Sequence, residues 1–374
     1  MRPSPTTALV LLGMLMTTVA TTAAEPASKP PHYRSEYRIV NVHRHSYTAS
    51  ARYVEAELEV MDRVGIDAAV ILLLGQNGTD PRFLEWMKLQ EKYADRLAVF
   101  GSVDFRKIEQ PTFFRDIVRD LEYQHKLGIQ GVKLWKDLGM EIKDADGKLL
   151  EADDPRLDPL WAKMAELKLP VVYHCADPKE YWSPRTYHSF HYGAGAPEFH
   201  KDPEMPSWDE LMRQRDHMLE KHPDLVMIGA HFGSLTLDLE RLAATFDKHP
   251  NFHVECAARL RILGRLNPVA VRDFFVKYQD RILFGSDSDV LAGVDVRDDA
   301  AVRDWQDRAA LFLGRYLEYF ETDRTDLIEP YQNSRSWLRL SGAKLPPEVL
   351  EKFYHGNAER LIPGLRPVAA NSPR

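Results

Sequence analysis

Between residues 38 and 288 the chain switches repeatedly between two textures. Apolar, β-branched runs occur at 39–43, 68–74, 97–103, 130–135, 170–174, 225–231, 252–256 and 282–284, with longer amphipathic stretches between them. The runs are nearly continuous instead of alternating with polar residues. That pattern fits strands of a parallel sheet buried on both faces. The stretches between carry helix-end signals. Asp80-Pro81 reads as an N-cap followed by proline at the first helical position. Ser207-Trp208-Asp209-Glu210 has capping-box spacing. Lys221-His222-Pro223 and Lys248-His249-Pro250 each stop a helix just before a strand, and Gly65 and Gly128 sit where C-terminal glycine caps belong. Eight strand–helix pairs over about 250 residues is the size of a (β/α)8 TIM barrel, with a doubly wound open sheet as the rival.

The polar residues decide between the two. The first run ends in Val42-His43-Arg44-His45, and later runs end in His174, His231 and Asp287. Side chains alternate along a strand, so His43 and His45 share one side. Each histidine alone is more often a hydrogen-bonded core residue than a ligand. Gathered at the C-terminal ends of barrel strands, all of them converge on one face, where active sites are built. An open sheet cannot bring its first and eighth strands that close to its fifth. These residue types belong to a catalytic metal site more than to a structural one.

The order His-x-His, His, His, Asp resembles the amidohydrolase superfamily, and within it the amidohydrolase-2 branch that includes aminocarboxymuconate-semialdehyde decarboxylase and lactone hydrolases. The supporting phrases are Gly131-Val132-Lys133-Leu134, Val172-Tyr173-His174, Ile228-Gly229-Ala230-His231-Phe232-Gly233, Ile282-Leu283-Phe284-Gly285-Ser286-Asp287 and Gly356-Asn357-Ala358-Glu359-Arg360-Leu361. The resemblance implies that His43, His45, His174 and Asp287 hold one divalent metal, with Zn²⁺ expected first and Mn²⁺ as the alternative. It gives Asp287 the proton transfers and His231 the substrate carbonyl. Lys133 is expected to hold a substrate carboxylate; a carbamylated Lys133 bridging two metals is the disfavoured reading, and pairing with Glu255 or Asp287 is a third. Trp135, Tyr181, Trp182 and Glu255 join Lys133 as candidate substrate contacts. Glu255 has the plain alternative of a structural charge.

The implied activity is attack by a metal-activated water on a lactone, amide or ester of a small carboxylate-bearing molecule. Non-oxidative decarboxylation of an aromatic or enol acid is the alternative, since scaffold and ligands fit both. A non-catalytic exported binding barrel is a further reading, which would be marked by a missing ligand; none is missing.

Arg2, an apolar stretch at 8–20 and the small-residue segment Thr21-Thr22-Ala23-Ala24 form the layout of a secretory signal peptide cleaved after Ala24. The apolar run is too short to span a bilayer comfortably. The expectation is a signal peptide at 1–24 and a single domain at 25–374, exported to the periplasm or secreted and free of the membrane after cleavage. The net charge of −7 is spread along the chain without a basic tract, which argues against nucleic acid as a partner. Cys175 and Cys256 fall on strands two places apart, about 9.6 Å, beyond disulfide reach. Both are expected as buried free thiols.

Two insertions interrupt the barrel pattern. The loop at 177–206 carries Tyr181, Trp182, Tyr187, His188, Phe190, His191 and Tyr192. It is too long and too aromatic for a plain connection and reads as a lid, with a homodimer contact as the alternative. After Asp287 come Asp289, Asp295, Asp298 and Asp299, then a helix around 305–320 whose Phe312, Tyr316, Tyr319 and Phe320 are expected to pack onto the barrel. The acidic cluster is expected to be a solvated loop, with calcium binding the lesser reading. Asn77-Gly78-Thr79 matches a glycosylation acceptor.

Overall fold

The structure is a computed structural model that describes residues 32–46, 48–184, 196–289, 293–328 and 339–365. The expected signal peptide, Tyr187, His188, Phe190, His191 and Tyr192 lie outside these residues, as does the side chain of Asp289. No helix among the described residues is long and apolar enough to cross a membrane.

The expected strands are β1 (Val40–His45), β2 (Ala68–Leu72), β3 (Leu97–Ser102), β4 (Gly131–Leu134), β5 (Val171–Tyr173), β6 (Met227–Gly229), β7 (Phe252–Glu255) and β8 (Ile282–Leu283). Each pairs in parallel with the next, and a short β9 (Ser288–Asp289) pairs in parallel with β1. Two further bonds close the ring. Val42 N–H donates to Phe284 O at 2.9 Å, and Asp287 N–H donates to His43 O at 3.0 Å. The architecture is the (β/α)8 barrel.

Helices cover the outside: α1 (Ala51–Val64), α2 (Pro81–Lys92), α3 (Phe113–Lys126), α4 (Asp158–Glu166), α5 (Trp208–Lys221), α6 (Leu239–Lys248), α7 (Pro268–Lys277) and, after the second insertion, α8 (Asp299–Glu321). Their ends follow the sequence signals. Asp80 accepts from Arg82 N–H ahead of Pro81, and Ser207 accepts from Glu210 N–H. Gly65 closes α1 at φ 86°, a conformation that glycine adopts without penalty. The aromatic face of α8 packs as expected: Tyr316, Tyr319 and Phe320 are fully buried, and Phe320 stacks on Phe275 and Phe353. The acids before it have protein partners: Asp295 binds Arg297, Asp298 caps α8, and Asp299 binds Arg52.

Inside the barrel, alternate residues form one apolar cluster: Val40 and Val42, Ala68, Val70 and Leu72, Ala98 and Phe100, Val172, Ile228 and Ala230, and Leu283. Their neighbours Ala69, Ile71, Val99, Val132, Val171 and Val254 belong to the outer cluster under the helices. A short helix α9 (Asn357–Leu361) closes the N-terminal end. Ala358 and Ile362 join the inner cluster, and Asn357 donates to Gln279 O and Ile282 O at 2.7 and 2.8 Å.

Strand β1 departs from strict alternation. Its register against β2 runs from Asn41↔Ala69 to Arg44↔Ile71, so β1 carries one extra residue between the two pairs. A bulge of this kind re-aims side chains. Below it Val40 and Val42 face the interior; above it His43 and His45 do, and Arg44 turns outward. There Arg44, 1% exposed, forms an ion pair with the equally buried Glu57 of α1.

Candidate metal centre

The inner wall turns polar at the C-terminal ends of the strands. His43 and His45 rise from β1, Lys133 from β4 and Glu255 from β7, while His174 follows β5 directly and His231 and Asp287 lie two and four residues past the ends of β6 and β8. His43 Nε2 lies 3.1 Å from His45 Nε2, and the two atoms lie 3.4 and 3.6 Å from Asp287 Oδ1.

The partners on the far side of each ring assign the tautomers. His43 Nδ1 donates to Glu255 Oε1 at 2.9 Å, and His45 Nδ1 donates to Leu72 O at 3.1 Å. Each Nε2 is then left with a lone pair. Two lone pairs and a carboxylate oxygen face one another across about 3 Å, an arrangement that repels unless a cation lies among them. Tetrahedral zinc with bonds near 2.0–2.1 Å has ligand–ligand edges of roughly 3.3 Å, and the three observed separations bracket that value. The donor set therefore fits a divalent metal.

The electrostatics agree. Burial holds His43 and His231 well below the ordinary histidine range, and the charge of Lys133 adds to this for both. Burial, aided by Lys133, pulls His45 down to about 4. All three are neutral near pH 7, as ligands must be. Lys133 is 1% exposed and its Nζ has no hydrogen-bond partner. Burial draws it down to about 8, and the carboxylates of Glu255 and Asp287 limit the fall.

Glu255 is fully buried beneath the cluster. Besides His43 Nδ1 it accepts from His231 N–H at 2.7 Å and from Ala257 N–H. Burial raises its pKa, and those two backbone donors oppose the rise. Its oxygens thus hold one histidine by the ring and another by the backbone. His231 Nδ1 donates to Ala257 O at 2.9 Å and lies 4.0 Å from Asp287 Oδ2. His43, His231 and Glu255 form a second close group beside His43, His45 and Asp287.

His174 belongs to neither group. Its ring centroid is 4.3 Å from that of His231, and its buried Nε2, without a hydrogen bond, lies 3.4 Å from Asp177 Oδ1. Burial pulls it down to about 4. Asp177 also binds Lys136, and the neighbouring His174 ring and the Lys136 ammonium hold its carboxyl below the usual range despite burial.

The backbone is bent to present these groups. His231, Phe232, Gly233 and Ser234 lie at φ 57°, 62°, 59° and 64°, and Asp287 at φ 55°. Left-handed conformations normally occur singly, because Cβ crowds the following carbonyl. Here buried donors brace the turn. Arg215 donates to Gly233 O at 2.9 Å, and Arg259 donates to His231 O at 3.2 Å.

The remaining predicted contacts stand at the rim. Trp135 is 41% exposed, with Lys136 Nζ 5.6 Å from its ring centre. Tyr181 is buried and Trp182 stacks on Phe199 at 4.6 Å, with its indole N–H donating to Pro206 O at 2.7 Å. These two tie the described ends of the long loop together. Asn77 of the glycosylation motif donates its amide to Asp104 at 3.1 Å. Cys175 and Cys256 are buried free thiols. The braces Arg215 and Arg259 carry no sequence signal, because the carbonyls they hold, those of Gly233 and His231, lie in other segments of the chain.

A family model described as Amidohydrolase matches residues 23–364. Among solved structures, 2,6-dihydroxybenzoate decarboxylase in complex with 2,6-dihydroxybenzoate is 15% identical at a TM-score of 0.52, covering 87% of this chain and 99% of that one. The 4-oxalomesaconate hydratase of Rhodopseudomonas palustris is 14% identical at 0.51, covering 87% and 96%. Likeness at such identities is one of fold. No curated protein matches the chain.

Proposed function

This chain belongs to the amidohydrolase family, and on that premise we propose that it is a metal-dependent hydrolase opening a lactone, amide or ester of a small carboxylate-bearing molecule. The observation that carries the reading is the convergence of His43 Nε2, His45 Nε2 and Asp287 Oδ1 at tetrahedral-edge spacing, with both Nδ1 atoms already committed elsewhere. These residues would hold a divalent ion, Zn²⁺ first and Mn²⁺ as the alternative, which when bound supplies Lewis acidity for activating water and polarising a carbonyl. His174, whose buried Nε2 has no hydrogen bond, is the candidate further ligand.

The chain's own groups divide the proton work. Asp287 is the most accessible of the cluster, at 26% side-chain exposure against 0% for His43. It takes the proton of the attacking water as the new C–O bond forms, and returns it to the leaving oxygen or nitrogen as the old bond breaks. His231, fixed by Glu255 at its N–H and by Ala257 through its Nδ1–H, keeps an Nε2 lone pair that assists the proton transfer from the attacking water. Lys133, desolvated and without a hydrogen-bond partner, receives the substrate carboxylate. Glu255 keeps His43 in the tautomer that presents Nε2.

The test is to load the purified protein with Zn²⁺ or Mn²⁺ and assay panels of lactones, amides and esters beside aromatic and enol carboxylic acids. Acid release from a lactone, amide or ester supports the reading. CO₂ release without net hydrolysis replaces it with decarboxylation.

A further inference from the structure

A second polar feature lies behind the backbone of His231. Arg259 follows β7 and is only 6% exposed. Its Nε and Nη1 donate to the carbonyls of His231 and Ala258, and among the described residues it forms no ion pair. Buried guanidinium groups are ordinarily paired with carboxylates, because an uncompensated buried charge is costly. The neighbouring acid, Glu255, is already bonded to His43, His231 N–H and Ala257 N–H.

Arg259 lines a cavity of about 460 Å³ between the segments that follow β5, β6 and β7. That volume lies within the usual range for small-molecule sites, about 300–1,000 Å³. Trp208, Leu235, Leu237 and Ile262 supply apolar wall. The other charged side chains there include Lys179, within 3.3 Å of Asp209, and Asp238, which caps α6. Glu180 also lines the cavity and has partners of its own.

We propose that this cavity binds a small organic carboxylate, its anionic group on Arg259 and its apolar body against Trp208 and Leu235. The site is distinct from the one assigned to Lys133 and is coupled to the metal centre through the carbonyl of His231. A charge-assisted contact to a buried guanidinium gives the preference for an anion over its neutral isostere.

The experiment measures binding of phenylacetate and of neutral phenylacetamide to the metal-free full-length protein by calorimetry, so it does not depend on the hydrolase reading. Phenylacetate is expected to bind at least tenfold more tightly. Arg259→Gln should remove that preference, but it also loosens the turn at His231. Leu237, 40% exposed on the cavity wall, allows a variant that leaves the brace intact. Leu237→Glu should weaken phenylacetate several-fold and Leu237→Lys should strengthen it, and both responses should persist in a Lys133→Gln background. Equal binding of acid and amide would overturn the proposal. So would loss of phenylacetate binding in Lys133→Gln with no response at Leu237.

Discussion

At the scale of single residues, the centre depends on which nitrogen each histidine offers, and that choice is made outside the ligand set. Glu255 makes it for His43 and the Leu72 carbonyl makes it for His45. His45→Ala removes one donor and Asp287→Asn leaves an oxygen in place, so the two variants should lose activity in different ways. His45→Ala is expected to empty the site, read as metal per chain by elemental analysis. Asp287→Asn should keep part of the metal and still fall by two or more orders of magnitude in turnover, about the contribution of general acid–base catalysis. Parent-level turnover in Asp287→Asn would remove the proton-transfer role. The residues of the cluster were legible in the sequence because they end apolar runs. Glu255 was visible as a charge at the end of a run, yet its partner His43 is 212 residues away, and no local pattern joins the two.

At the scale of elements, β1 shows what periodicity reads and what it misses. Alternation correctly placed His43 and His45 together, but it gave no sign of the bulge that lets Val42 and His43 both face inward. One consequence is the buried pair of Arg44 and Glu57, which locks β1 onto α1. Arg44→Met leaves Glu57 buried and unpaired, and should cost about 3–5 kcal/mol in denaturant unfolding. Adding Glu57→Leu should restore most of that loss. If the double variant is no more stable than Arg44→Met, the cost lies in packing and not in charge. The left-handed turn at 231–234 was equally hidden. Only Gly233 announces positive φ in the sequence, and the conformation of its three neighbours is imposed by Arg215, Arg259 and the bonds to the His231 backbone.

His253 belongs to the same scale. It lies on β7 two residues before Glu255, and burial with Arg281 and Arg360 nearby draws it down to about 3. The unfolded chain therefore binds a proton more readily than the folded one between pH 6.5 and 3. Stability from this group is full above 6.5 and is lost as the pH falls, by at most about 1.4 kcal/mol per unit. His253→Met should flatten the acid side of the melting-temperature profile. An unchanged slope would assign acid sensitivity to other groups.

At the scale of the whole molecule, the run-and-stretch pattern gave the alternation of strands and helices, because strands buried on both faces leave a continuous apolar signature, and the polar residues at the strand ends chose the barrel over the open sheet. The bonds that close the ring were not legible: they run from Val42 N–H to Phe284 O, from Asp287 N–H to His43 O and through β9, two residues long, while the tail phrase at 356–361 did mark the helix α9 that seals the floor. Asn357 ties α9 to the carbonyls of Gln279 and Ile282. Asn357→Ala leaves both without that donor and should cost about 2–3 kcal/mol by denaturant unfolding, with the metal content of the folded protein unchanged. Loss of metal at full folding would instead link floor and centre directly.

That floor has a kinetic meaning. With Ala358 and Ile362 sealed into the inner cluster, the described residues make the barrel a cul-de-sac that opens at its C-terminal rim. Whatever enters from that rim must leave by the same route, so a ligand going in and one coming out queue for one passage. An inhibitor that merely jams the doorway, without touching the candidate metal ligands, would stop both arrivals and departures.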